Sequence, residues 1–147
     1  MLVIKNTRWF LASILILLLM SCGQSPKEVS VDKAWVRTPL PSKTTTSAYV
    51  QFKNHTKDSI KLTSAESETI GAIEFHKSEL KDGMHRMVEL DSLEIPAKDT
   101  LTLEPGGLHL MLFRVQEVEE DEHVITFNTE GDHKFEATFE ISDDEPE

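Results

Sequence analysis

The stretch "GGLHLMLF", residues 106–113, alternates with a period of two, as an extended strand does. Leu108, Leu110 and Leu112 fall on one face and suit a hydrophobic core. His109 and Met111 fall on the other, where solvent-facing strands seldom place such residues. Other strand-like runs are "AWVRT", "SAYVQFKN", "SIKLTSAES", "AIEFHKS", "MHRMVEL", "DTLTLEP", "EHVITFNTE" and "HKFEATFEIS". Turn signals separate them: Pro39 and Pro41, Asn54, Asp82-Gly83, Pro96, Pro105-Gly106-Gly107 and Gly131-Asp132. Many short alternating strands with regular turns predict an all-β, antiparallel sandwich or barrel. No segment sustains a helical period.

One hairpin is resolved to its register. Asp82-Gly83 is a favoured two-residue type I′ turn, so Lys81 should pair with Met84 and the register runs back from there. Phe75 then faces Leu90, Lys77 faces Val88 and Ile73 faces Ser92, a mostly apolar side for the core. On the opposite side His76 faces Glu89 and Ser78 faces Met87. Diagonal neighbours on one face stand roughly 7–8 Å apart, so His76 and Met87 come within reach of one ion. His85, nearer the turn, lies on that side too, whereas Met84 faces away with Val88 and Leu90.

The start of the chain has a different character. Lys5 and Arg8 precede a twelve-residue apolar run, "WFLASILILLLM", followed by Ser21 and Cys22. This is the pattern of a secretory signal over residues 1–21, and the run is short for a bilayer span of about 20 residues. Cys22, the chain's single cysteine, stands where the lipobox of bacterial lipoproteins places its acylated residue. Residues 22–30 read as a polar tether, residues 31–142 as one domain, and residues 143–147 as an acidic tail. Loss of residues 1–21 removes two positive charges, leaving 13 Lys+Arg against 26 Asp+Glu and a net charge of −13. So acidic a surface repels nucleic acid and anionic headgroups, and it is compatible with cationic ligands.

The chemistry lies in the polar faces. If the strand around Leu110 runs beside the hairpin, His76, Met87, His109 and Met111 form one cluster of imidazoles and thioethers. Thioether sulfur selects Cu(I), imidazole suits copper in either oxidation state, and zinc sites rarely use thioether. A mature thiolate for a zinc finger or an iron–sulfur centre is lacking. His85 is a possible assistant to the metal. Met84, His55, His123 and His133 read as ordinary packing or surface residues.

At this point the sequence resembles the PCuAC-type periplasmic copper chaperones. Their signature is a His, ten residues, a Met, twenty-one residues, then His-x-Met, and His76, Met87, His109 and Met111 reproduce it. The resemblance extends through "AWVRTPLP", "AYVQFKN" and "LEIPAKDTLTLEPGGLHLML", about residues 31–142. Ser78 and His85 stand where many relatives carry methionine. The resemblance implies a cupredoxin-like, Greek-key sandwich that carries Cu(I), and together with the lipobox at Cys22 the reading is a monomeric carrier tethered to the membrane outside the cytoplasm. It also implies an acceptor protein, such as the CuA subunit of cytochrome c oxidase or an assembly factor. A copper store without a specific acceptor is the alternative. A blue-copper electron carrier would need a Cys thiolate. An enzyme would need a nucleophile–base pair or an open metal position, and neither is evident.

Overall fold

The computed structural model describes residues 28–119, 121–131 and 133–145. The expected signal, Cys22 and the tether as far as residue 27 lie outside the described residues. Within them, alternation becomes ten strands: β1 (Val29–Arg37), β2 (Thr45–Asn54), β3 (Ile60–Glu66), β4 (Ile70–Lys81), β5 (Met84–Leu90), β6 (Leu93–Ile95), β7 (Thr100–Leu103), β8 (Leu108–Val115), β9 (Glu122–Thr129) and β10 (Lys134–Ser142). β1 begins two residues before the expected domain start at residue 31. The nine runs predicted from alternation each fall on a strand, and β6, three residues between Ser92 and Pro96, is the addition.

The strands form one hydrogen-bonded path, β5-β4-β8-β2-β1-β10-β9-β3-β6, with β7 pairing the far end of β2. Pairings between named strands are antiparallel except β1 with β10, where Trp35–Arg37 run parallel to Glu140–Ser142. The path folds over itself, so that β2 meets β9 face to face: the rings of Phe52 and Phe127 stand 4.9 Å apart, edge to face. Between these layers lie the fully buried Val36, Phe52, Leu62, Leu110, Leu112 and Phe139, all inward positions of alternating strands. The result is a β-sandwich.

A second, smaller layer covers part of the outer face. Trp35 and Tyr49 pair across β1 and β2 on the side away from the main core, with ring centroids 4.7 Å apart. Both are buried, and the Arg37 guanidinium lies over the two rings at 5.9 and 5.7 Å. A bulge between Asp32 and Trp35, with Lys33 at φ +49°, sets this register. These aromatics wall one side of the face that carries His109.

Candidate metal centre

The β4–β5 hairpin is closed by Asp82 and Gly83, both with positive φ (+54° and +75°), as a type I′ turn requires. Its register pairs Lys81 with Met84, Ser78 with Met87, His76 with Glu89 and Phe75 with Leu90, as the turn predicts. On the other side of β4, β8 pairs antiparallel, setting His109 directly opposite His76 and Met111 directly opposite Glu74. Paired residues share a face, so His76, Met87, His109 and Met111 all project from the outer face of three adjacent strands. His76 and His109 are paired directly, and Met111 and Met87 each lie diagonal to His76, Met111 on β8 away from the hairpin turn and Met87 on β5 one pair nearer to it.

The environment differs sharply across this face. His109 is 3% exposed and Met87 is 61% exposed. The imidazoles are therefore not the solvent-exposed groups that an outward strand face suggests, because the aromatic layer and neighbouring side chains cover them. The His109 ring lies 6.5 Å from Tyr49 and 5.9 Å from His76 between centroids. β5 from Met84 to Glu89 is exposed throughout, so the hairpin runs out past the core and Val88 does not join it.

Hydrogen bonding fixes how the imidazoles present themselves. His109 Nδ1 lies 3.1 Å from the Gly107 carbonyl oxygen, which only accepts, so the proton sits on Nδ1 and Nε2 keeps its lone pair. His76 Nε2 lies 2.9 Å from a Glu74 carboxylate oxygen. Each ring is left with one buried nitrogen lacking a partner, His109 Nε2 and His76 Nδ1. A buried orphaned nitrogen is costly unless a ligand satisfies it. Two of them on facing residues are the donor set expected where a metal enters. The Ser47 hydroxyl donates a long contact to Met111 Sδ at 3.9 Å, leaving sulfur lone-pair density free.

Carboxylates accompany the imidazoles: Glu74, His76 and Glu89 each offer a ligand atom within 4.8 Å of the others. The sequence placed Glu89 opposite His76 but passed over Glu74, although the spacing Glu74-x-His76 puts both on one face. His85 sits opposite Leu80 near the exposed hairpin tip, and Met84 is 55% exposed. His123, expected to be an unremarkable surface residue, is instead buried. Its Nδ1 hydrogen-bonds Thr69 Oγ1 at 2.8 Å, and burial lowers its pKa. His123 shares strand parity with the buried Ile125 and Phe127, which was the available signal. Surface hollows of about 1110 Å³ beside β1 and β10 and about 740 Å³ beside β9 contain none of the four expected ligands.

Comparison with known proteins gives the family and the fold. The family described as LpqE-like lipoproteins matches residues 29–141. A relative from Leifsonia xyli subsp. xyli (strain CTCB07), Lxx21020, also described as a lipoprotein, is 34% identical over 91 residues, 61% of this chain and 54% of its own. The chain thus spans about half the length of that relative. Among solved structures, the copper-bound PCuAC domain from PmoF2 superposes with a TM-score of 0.65 at 18% identity, covering 80% of this chain and 95% of that one. The Cu(I) form of DR1885 from Deinococcus radiodurans gives 0.61 at 25% identity, covering 84% and 83%. The chain belongs to the LpqE-like lipoprotein family and carries the fold of the PCuAC copper chaperones that its sequence resembles.

Proposed function

We propose that the protein is an extracytoplasmic copper chaperone, anchored to the membrane through Cys22 and folded as one domain over about residues 31–142. It binds one Cu(I) through His76, Met87, His109 and Met111 and passes it to an acceptor in the assembly of the CuA centre of cytochrome c oxidase. The observation that carries this reading is the facing pair of buried, unpartnered imidazole nitrogens beside Met111. The likeness to DR1885, whose Cu(I) form is known, supports the choice of ion.

The arrangement suits cargo rather than a resident cofactor. All four ligands are neutral when bound, which favours a monovalent soft ion. Glu74 and Glu89 lie beside the imidazoles and balance its charge without occupying the thioethers. Met87, on the exposed edge hairpin, is the ligand an incoming acceptor displaces first. Met111, half-buried, follows, and His109, held by Gly107 and enclosed by Tyr49, releases last. Ligand-by-ligand exchange keeps copper from becoming a free ion.

Anaerobic Cu(I) titration of the protein, followed by mixing with an apo CuA-type oxidase subunit, tests the reading. The expected result is one Cu(I) per chain and its appearance on the acceptor. Tight binding with no transfer to such a subunit would favour a copper store.

A further inference from the structure

We propose that the sandwich admits an extended, basic segment of a partner protein as an added strand between β1 and β10. These two strands are hydrogen-bonded to each other only at their C-terminal ends, Trp35–Arg37 with Glu140–Ser142. Each strand has nine residues, three of them so paired, which leaves six, 29–34 and 134–139. One side of these stretches pairs within its own layer, β1 with β2 and β10 with β9, and the other side has no strand partner. Because β1 and β10 run parallel, both open edges lie at the same end of the seam, where each strand follows its own layer. Residues from both edges line the hollow of about 1110 Å³ beside them. At about 3.3 Å per residue, each open edge is about 20 Å long.

An open edge alone is no site, and β5 exposes one at the end of the strand path. The seam differs because two edges share one hollow with an apolar floor. Val31, Ala34, Ile60 and Phe135, all half-buried against the core, form that floor. An extended chain laid there pairs its backbone donors and acceptors on both sides, while alternate side chains cover the floor. Charge selects which chain. Two of the lysines at the rim are already engaged, Lys33 with Glu145 at 3.1 Å and Lys61 with Glu130 at 3.4 Å. Glu28, Asp32, Glu94, Glu136 and Glu140 make no ion pair among the described residues, and Lys134 is the remaining rim lysine. That surplus of carboxylates favours a segment with basic side chains facing outward and apolar ones facing the floor.

The probe is a capped, fluorescein-labelled hexapeptide alternating lysine with valine, added to the copper-free full chain and followed by fluorescence anisotropy. Two control peptides accompany it, one with alternate backbone nitrogens methylated and one with glutamate in place of lysine. The methylated peptide keeps the charge and side chains but loses ladder donors, so it separates strand addition from plain attraction. The lysine peptide should bind and slow amide hydrogen exchange within residues 29–34 and 134–139, leaving β5 unchanged. Both control peptides should bind at least about tenfold more weakly. The Asp32→Asn/Glu136→Gln variant, its fold checked by circular dichroism, should weaken the lysine peptide at least about threefold. No binding, equal binding of the methylated peptide, or protection along β5 instead of the seam would overturn the proposal. Protection of the seam that rises with the protein's own concentration, without peptide, would overturn it in favour of a second copy of the chain.

Discussion

Leu110 and Met111 are adjacent on β8, and their replacement by alanine should have opposite consequences. Leu110 is fully buried between Phe75 of β4 and Ala48 of β2. Truncation removes three buried carbons, about 2.4 kcal/mol at about 0.8 kcal/mol for each, before any cavity is counted. With an unrelaxed cavity the loss becomes about 2–5 kcal/mol. At roughly 4 °C per kcal/mol for a domain of this size, Leu110→Ala should melt roughly 10–20 °C lower. Met111 is on the other face, half-buried, with its sulfur 3.9 Å from a hydroxyl and outside the main core. Met111→Ala should cost about 1 kcal/mol or less, while weakening Cu(I) binding at least tenfold. The assay is thermal melting of the apo-protein by circular dichroism, paired with Cu(I) competition against a chromogenic chelator. If Met111→Ala melted as low as Leu110→Ala, Met111 would be core filler and the argument from strand parity would be refuted.

Other outcomes follow from the same geometry. Gly83→Val places a β-branched residue at φ +75°, and should cost about 1–2 kcal/mol and weaken Cu(I) binding by shifting Met87 against His76, read by denaturant melts and competition. His123 is held neutral by burial, with its pKa below the ordinary 6.5, so the unfolded chain takes up the proton first. Stability should therefore fall as pH drops from 6.5 toward the folded value, with a slope of at most about 1.4 kcal/mol per pH unit. A His123→Leu variant should lose that part of the dependence, and equal pH profiles for the two would count against it. Cys22→Ser should release the protein from membranes and abolish the acyl mass of the intact chain; a variant still sedimenting with membranes would remove the anchor from the account.

Much of the fold was legible because alternation and turn chemistry are local. Nine apolar-polar runs coincide with strands, and Asp82-Gly83 specified the β4–β5 register residue by residue, since a type I′ turn leaves one pairing open. β6 escaped because three residues, Leu93–Ile95, are too few to display a period. The adjacency of β4 and β8, which brings His109 to His76, is a long-range pairing that periodicity could not state; the spacing of the motif pointed to it through resemblance alone. The burial of His109 was equally out of reach. It depends on Trp35 and Tyr49 being carried onto the same outer face by the bulge in β1, a consequence of register across three strands. His123 and Glu74, by contrast, were readable from parity with Ile125 and Phe127 and with His76, and were passed over because each looked ordinary alone.

The claim that two thioethers and two imidazoles hold the cargo is tested most directly by copper K-edge X-ray absorption on the Cu(I)-loaded full chain. The expected nearest-neighbour shell is two sulfur and two nitrogen scatterers, with one sulfur lost in Met87→Ala and one in Met111→Ala. A shell containing only nitrogen and oxygen, or a sulfur count unchanged by both substitutions, would contradict it.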